Sequence, residues 1–258
     1  MWHNKINIGD VALILVVSPR RRERYLVKFE GERIMVGGEA VLEIEEIKEA
    51  GWGGEVRRGR TSFYILPPAP EDFPVILPRG AQIITVKDAS RIISMLGVRS
   101  GMRVLEGGSG SGHMTSYLAW HLAPEGVLYS YERSAEHLKV AKESIRKLGL
   151  ERWVEFREAD VAEVRERDLQ GALLDIPDPE RVIPAVKDAL RPGSCLVCYL
   201  PTVNQLERAK EAMEDAGFVD LKAVELLERE MSLREGAVRP EISGIKHTAY
   251  LLRGRLRR

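Results

Sequence analysis

A glycine-rich segment is the part of the sequence whose residue types and spacing point most clearly to ligand chemistry. It reads Glu106-Gly107-Gly108-Ser109-Gly110-Ser111-Gly112 and follows the apolar run of Val104 and Leu105. Glycines permit positive φ angles and let a ligand approach the backbone closely. A turn of this kind between a buried strand and a helix is typical of open α/β sheets, which bind ligands at the carboxyl ends of their strands.

The spacing of this loop excludes two common phosphate ligands. A dinucleotide fingerprint counted from Gly108 places His113 where the last glycine belongs, and no Lys-Ser/Thr pair follows for a triphosphate. Glu106 stands just before the loop, where a carboxylate repels a pyrophosphate and attracts a cationic amino group. The loop therefore predicts a ligand with a ribose and an amino acid moiety rather than NAD.

Two further acids follow the next two predicted strands. Glu132 comes 20 residues after Gly112, at a position where an acid hydrogen-bonds ribose hydroxyls in nucleotide-binding sheets. Asp160, within Glu158-Ala159-Asp160-Val161, would accept from an adenine amino group. In isolation, Glu132 or Asp160 is better explained as a surface acid. Together with Glu106 and the glycine loop, they predict S-adenosylmethionine as the cofactor.

The fourth predicted strand ends in Leu174-Asp175-Ile176-Pro177-Asp178-Pro179. Asp175 would sit beside the reacting centre, and the prolines would make the turn that holds it rigid. The alternative is an aspartate that caps a helix in a tight turn.

Alternating helices and strands after Pro78 are the elements that must position these residues. They predict a mainly parallel, Rossmann-like sheet with helices on both faces. The predicted helices are Asp88–Gly97, His113–Leu122, Ala135–Leu148, Pro179–Leu190 and Asn204–Ala216. The predicted strands are Met102–Leu105, Val127–Tyr131, Trp153–Arg157, Gly171–Leu174 and Cys195–Leu200. Two antiparallel strands joined by a long loop are expected to follow, at Ala223–Met231 and His247–Leu252.

The first 66 or so residues are β-rich and indicate a small barrel or sandwich. Strands are expected at Val11–Val17 and Phe63–Leu66, and a hairpin would join Tyr25–Phe29 to Arg33–Val36 through Gly31. Five prolines between residues 67 and 78 cannot lie in a helix interior and predict a linker. We therefore expect a small β-rich domain over residues 1–70 and a catalytic domain over residues 71–258.

Composition is that of an ordinary globular chain and is neutral on RNA binding. The sequence has 44% hydrophobic and 30% charged residues, with 39 Lys and Arg against 39 Asp and Glu. Two basic clusters, at residues 20–24 and 253–258, are equally well explained as a solvated loop and a frayed terminus. Without a long apolar run or a secretory signal, the expected location is cytoplasmic, with no membrane partner.

The pair Cys195 and Cys198 has the spacing of a redox or metal motif. It lies within a predicted buried strand, where residues three apart point to opposite faces, and no second ligand pair is near. The structural interpretation is favoured, and no metal is expected.

The motifs together resemble the tRNA (adenine-N1)-methyltransferase family, the bacterial and archaeal T-loop enzymes. Outside the glycine loop, Glu132 and the Asp175 turn, the resemblance is carried by Phe63–Pro68, Arg79–Ile84, Lys87–Ser90, Tyr199–Thr202, Arg239-Pro240 and Lys246–Leu251. It covers nearly the whole chain. The sequence is thereby identified as a member of a family with a small β domain and a Rossmann-like methyltransferase domain.

The resemblance implies methylation of adenosine 58 in tRNA, and of adenosine 57 as well in archaeal members. It implies a homotetramer, with an RNA-binding or oligomer role for residues 1–70. Asp175 would accept from the adenine N6 amino group, and Gln82 and its loop would contact or cover the cofactor. The expected cofactor-binding residues are Gln82, Glu106, Gly108, Ser109, Gly110, Ser111, Gly112, Glu132, His137, Asp160, Val161 and Asp175.

Three positions and two rival functions remain open. Thr85 stands where the family has Tyr or His, and Glu180 where it often has Trp. His247 would either face the site or serve as a structural histidine, the latter being favoured. The rival functions are a methyltransferase for a small molecule or protein, and a non-catalytic tRNA-binding subunit, which would lack the intact glycine loop and Asp175 turn seen here.

Overall fold

A computed structural model describes residues 5–38, 40–76, 83–234, 236–241 and 247–258. Its largest element is a seven-stranded sheet made of β7 Arg103–Gly107, β8 Val127–Glu132, β9 Val154–Glu158, β10 Leu169–Leu174, β11 Leu190–Leu200, β12 Phe218–Glu225 and β15 Tyr250–Leu256. The strand order is β12-β15-β11-β10-β7-β8-β9. The helices of this part are α2 Phe73–Ile76, α3 Val86–Leu96, α4 His113–Leu122, α5 Ala135–Lys147, α6 Ile183–Ala189 and α7 Val203–Asp215, and a short hairpin pairs β13 Met231–Ser232 with β14 Arg239–Pro240.

The central strands β11, β10, β7, β8 and β9 are parallel, and β15 runs antiparallel between β11 and β12. The predicted Rossmann-like α/β sheet is therefore confirmed. Chain order reverses between β7 and β10, so the crevice at their carboxyl ends is where a ligand is expected in an open α/β sheet.

Two apolar cores cover the two faces of this sheet. One joins α3, α4 and α5 to the sheet and includes the side chain of Cys195, whereas the other joins α6 and α7 and includes that of Cys198. The two free, buried cysteines thus point to opposite faces, which confirms the structural interpretation of their spacing. No helix in the described ranges is both long and apolar enough to span a bilayer.

The amino-terminal part has a separate core and a different strand pairing from the one expected. Its elements are β1 Val11–Val17, β2 Arg22–Lys28, β3 Arg33–Val36, β4 Ala40–Glu43, α1 Ile44–Ala50, β5 Glu55–Arg58 and β6 Thr61–Leu66. Four strands form a sheet in the order β2-β1-β6-β5, and β3 pairs with β4 alone.

The predicted hairpin of β2 with β3 is wrong. Strand β2 instead pairs with β1 over seven residues, from Val11 opposite Lys28 to Val17 opposite Arg22. That pairing satisfies more backbone groups, and both strands belong to one cored sheet. The turn after β3 uses Gly37 and Gly38, both at positive φ, which suits the tight turn of the β3–β4 hairpin.

The proline-dense stretch is only partly a linker. Pro70 opens a 3-10 turn and Pro74 lies in the first turn of α2, positions where a missing backbone N–H costs little. The fully buried ring of Phe73 packs edge-on against Tyr117 and Trp120, at centroid distances of 5.4 and 5.6 Å. The carboxyl-terminal arginines also differ from a frayed terminus, because β15 continues to Leu256.

Candidate active site

The glycine loop lies at the crevice between β7, β8 and β10. Gly108 N donates to Tyr131 O at 2.9 Å, and Asp175 N donates to Gly107 O at 2.8 Å. The φ of Gly108 is 94°, and a Cβ there would lie 2.2 Å from Asp175 O. Only glycine fits at this position, because both the backbone conformation and the approach of the Asp175 peptide exclude a side chain.

The rest of the loop is anchored on one side and open on the other. Gly112 has a φ of 81°, and a Cβ there would lie 2.9 Å from Ala141 Cα in α5. Ser144 Oγ in the same helix donates to Ser111 O at 2.8 Å. By contrast, a Cβ on Gly110 would meet no atom within 4 Å, so the loop presents open space to a ligand there.

Glu132 closes the far side of the loop from the end of β8. Its Oε2 accepts from Gly110 N at 3.1 Å and its Oε1 from Ser134 N at 2.9 Å. The ring of His137 is exposed, with Nδ1 3.9 Å from Glu132 Oε1. Each carboxylate oxygen keeps a second lone pair, so Glu132 can still accept from ribose hydroxyls.

Glu106 lies fully buried beneath the loop rather than on its surface. Its Oε2 accepts from Thr115 Oγ1 at 2.7 Å and from Ser130 Oγ at 2.5 Å, and a hydroxyl contact joins Ser130 to Ser109. Its Oε1 is buried without a partner. Burial raises the pKa of Glu106 to about 7, although the two hydrogen bonds from Ser130 and Thr115 act to lower it. The charges of Asp175 and Glu132 add to the rise.

Asp175 follows β10 and is partly exposed at the crevice. Burial, with a smaller contribution from the charge of Glu132, raises its pKa to about 7. In the described part of the chain, no group donates a hydrogen bond to its carboxylate and no Lys or Arg forms an ion pair with it. Its carboxylate is therefore available to a ligand.

Asp160 already accepts hydrogen bonds from the protein, whereas the sequence suggested an acid free to bind adenine. Its Oδ1 accepts from Ala162 N at 2.8 Å and its Oδ2 from Arg181 Nη2 at 2.7 Å. Burial opposes ionisation, but these two hydrogen bonds and the charges of Arg181 and Arg133 together lower the pKa of Asp160. Val161 packs under the loop, with a methyl group 3.1 Å from a Cβ built on Gly107. An adenine amino group would share Asp160 with Arg181.

A buried polar network near Asp175, centred on Asp88, was not predicted from residue types and spacing. Asp88 is fully buried and accepts from Thr85 Oγ1 at 2.9 Å and from Lys87 Nζ at 2.8 Å, and Lys87 also donates to Thr248. Burial and the charges of Asp88 and Asp175 raise the pKa of the buried Tyr199 hydroxyl. Only the Lys87–Ser90 motif of the family resemblance signalled this network.

The other singled-out positions have structural partners. Thr85 Oγ1 donates a hydrogen bond to the Asp88 carboxylate, and Glu180 accepts one from Arg208 Nε at 2.6 Å. The ring of His247 lies 2.6 Å from Glu225 Oε1 and 2.9 Å from Pro201 O, which raises its pKa and favours the structural interpretation. Gln82 lies outside the described residues. Within those residues, no three or more His, Cys, Asp or Glu are grouped to hold a metal ion.

Burial of two acids in the crevice, with a smaller contribution from their mutual repulsion, makes the stability of the ligand-free protein depend on pH. Because the folded-state pKa values of Glu106 and Asp175 lie above those of free carboxyls, the folded state holds more protons above pH 4.5. Stability is therefore lost as pH rises towards 7. We expect Asp175→Asn to raise the melting temperature by a few degrees at pH 8 and far less at pH 5.

Thermal melts at the two pH values check this expectation, with Asp188→Asn as the control. Asp188 is an exposed aspartate on α6, away from the crevice. Equal shifts in melting temperature for the two variants at both pH values would show that the charge of Asp175 does not destabilise the folded protein.

Comparison with known proteins gives one consistent family. The family model for the tRNA methyltransferase complex GCD14 subunit matches residues 61–250. The tRNA (adenine(57)-N(1)/adenine(58)-N(1))-methyltransferase TrmI of Methanocaldococcus jannaschii is 30% identical over 90% of each chain. A tRNA (adenine(58)-N(1))-methyltransferase TrmI of Thermus thermophilus is 31% identical over 92% of this chain and 94% of the relative.

Two solved structures share the whole architecture. A SAM-dependent O-methyltransferase from Thermotoga maritima superposes with a TM-score of 0.81 and 27% identity, over 99% of this chain and 96% of the other. The tRNA (m1A58) methyltransferase TrmI of Aquifex aeolicus has a TM-score of 0.75 and 27% identity, over 98% of both chains. The likeness extends through the amino-terminal part as well as the sheet.

Proposed function

The chain belongs to the tRNA methyltransferase complex GCD14 subunit family, and we propose that it transfers a methyl group from S-adenosylmethionine to N1 of adenosine 58 in the T loop of tRNA. Methylation of adenosine 57 is proposed as a second activity, because the Methanocaldococcus relative is named for both positions. The observation that carries the proposal is the group of three carboxylates around one glycine loop, Glu106, Glu132 and Asp175, without a Lys or Arg paired to any of them in the described ranges.

The acidity of this crevice fits a positively charged cofactor. S-adenosylmethionine supplies a methyl group on a cationic sulfur, together with an ammonium group and a ribose. Burial and, to a smaller extent, neighbouring acids raise the pKa values of Glu106 and Asp175, and a cation near Asp175 would favour their charged forms. Glu132 would accept from the ribose hydroxyls, and the open side of Gly110 gives the ligand room at the backbone.

Glu106 would act through the loop rather than by direct contact, because it is fully buried. Its carboxylate fixes Thr115 at the start of α4 and Ser130 on β8, and Ser130 in turn contacts Ser109. The carboxylate also adds negative potential beneath the loop. Ser109, Ser111, Gly112, His137 and Val161 line or support this cradle and stay proposed cofactor-site residues, as does Gln82.

Asp175 would position the target base and stabilise the charge that methylation creates. Adenine N1 is itself the nucleophile, so no strong base is required and orientation dominates the rate. The Asp175 carboxylate has no donor within the described residues and is free to accept from the adenine N6 amino group. Its negative charge would oppose the positive charge that develops on the ring. Because N1 lies on the pairing edge, the base must leave the tRNA fold.

We also propose roles for the amino-terminal part and for assembly. The β-rich domain of residues 1–70, with its own core, would bind tRNA or contact other subunits. The assembly would be a homotetramer, and a cytoplasmic location follows from a tRNA substrate.

Substituted transcripts test the position of the proposed modification. With labelled S-adenosylmethionine, an unmodified transcript should accept methyl groups, and a transcript carrying guanosine at positions 57 and 58 should accept none. Single substitutions then divide the signal between the two adenosines. Equal labelling of the doubly substituted transcript would contradict the proposal.

A further inference from the structure

We propose that a basic pocket at the edge of the large sheet binds backbone phosphates of the tRNA, an inference that rests on the proposed function. Four cationic side chains line this basic pocket: Arg91, Lys222, Arg253 and Arg255. The cavity measures about 250 Å³, which is large enough for a phosphate group and its first water molecules. None of these residues belongs to the crevice around Asp175.

Strand geometry brings three of the four cations together. Arg253 and Arg255 are two residues apart on β15 and therefore point to the same face of the sheet. Lys222 on β12 lies directly opposite Arg253 in the antiparallel register. Helix α3 covers that face, contributes Arg91, and closes the pocket with its last turn at Ser94–Leu96.

The positive charge of the pocket is only partly neutralised. Asp220 is the carboxylate near it, 3.3 Å from Arg253 Nη2 and 3.6 Å from Arg255 Nε. Neither Arg91 nor Lys222 has an ion-pair partner in the part of the chain that the structure describes. Arg253 Nε–H is buried without a hydrogen-bond partner, so the guanidinium group of this pocket-lining arginine is not fully satisfied by the protein.

The pocket holds an excess of about three positive charges in a chain whose formal net charge is zero. Guanidinium groups bind phosphate oxygens through charge-assisted and often bidentate hydrogen bonds. The charge segregation that a neutral RNA-binding protein needs is thus present at this pocket.

The pocket is within reach of a tRNA whose target base lies beside Asp175. The first turn of α3 is tied to the active site, where Lys87 donates to Thr248 and the Asp88 charge acts on Tyr199. The last turn of α3 lines the pocket. Eleven residues of helix place the two ends about 15 Å apart, at roughly 1.5 Å per residue. Phosphates a few nucleotides from the target would span that distance.

The test is the salt dependence of tRNA binding by the full chain. For Lys222→Ala with Arg255→Ala, both exposed side chains, we expect the Kd for an unmodified transcript to rise about tenfold at 0.1 M salt. The slope of log affinity against log salt should fall by nearly two, at about 0.9 for each phosphate contact. Cofactor affinity should not change, and KM for tRNA should rise while kcat is kept.

Lys139→Ala with Lys142→Ala is the matched control, because both lysines are exposed on α5, which packs on β8 and β9 at the other edge of the sheet. Equal effects of the two pairs on Kd and slope would overturn the pocket as a phosphate site. So would a change in the oligomer mass of the Lys222, Arg255 variant, which would make the pocket a subunit contact. If wild-type protein neither binds nor methylates tRNA, the proposed function fails as well. If the wild-type protein methylates tRNA but the two double substitutions change Kd and slope equally, only the phosphate pocket is ruled out and the proposed function stands.

Discussion

Replacing Asp175 by Asn is expected to lower methyl transfer to tRNA by about 100-fold or more, comparable to the loss of one preorganised electrostatic contact in other enzymes. The amide keeps the size of the side chain but removes the negative charge that faces the crevice. That charge would orient the adenine amino group and offset the positive charge formed on the ring. In the ligand-free protein no described group donates to this carboxylate, so the substitution leaves no native donor unpaired.

The measurement is single-turnover transfer of a labelled methyl group at saturating tRNA, with cofactor affinity determined separately by calorimetry. Asp178→Asn serves as the control, since Asp178 is exposed in the same turn. We expect the control to retain nearly full activity and Asp175→Asn to keep cofactor binding within several-fold. If Asp175→Asn keeps more than about a third of the wild-type rate, its assignment as the catalytic residue is wrong.

Replacing Gly108 by Ala is expected to weaken cofactor binding by about 100-fold or more and to destabilise the fold. The new Cβ would lie 2.2 Å from Asp175 O, a backbone atom that can move only if the β10 turn moves. A left-handed backbone also costs a residue with a Cβ about 1–2 kcal/mol. Both effects displace the loop and the Asp175 turn together, so the cofactor cradle and the base site are altered at once.

Calorimetric titration with S-adenosylmethionine and a thermal melt check this expectation. Gly59→Ala measures the cost of a left-handed backbone alone, because Gly59 has a φ of 59° and a Cβ there would meet no atom within 4 Å. The control should lose a small amount of stability and no cofactor affinity. Wild-type affinity in Gly108→Ala would show that the contact with Asp175 does not shape the site.

Periodicity and turn residues were sufficient to predict the catalytic sheet. The strands around Val104, Leu128 and Leu173 are largely buried. Gly107 ends the first, Glu132 ends the second and Asp175 follows the third, so the candidate site at their carboxyl ends followed from topology. The same reasoning failed for β2 and β3. Local loop signals cannot show that β1 offers β2 a longer pairing within a cored sheet.

Contacts between residues distant in sequence account for what the sequence could not predict. The need for glycine at position 108 depends on the Asp175 peptide, 67 positions away, and the engagement of Asp160 depends on Arg181. The link between Lys87 and Thr248 spans the whole domain. The burial of Glu106 under Thr115 and Ser130 also changes its proposed role, from contact with the cofactor to support of the loop.

The most direct measurement is nucleoside analysis of unmodified tRNA after incubation with this protein and labelled S-adenosylmethionine. The expected result is label in 1-methyladenosine, lost when Asp175 is replaced. Label in another nucleoside, or an unlabelled tRNA with a protein that still binds the cofactor, would contradict the assignment and favour a small-molecule or protein substrate.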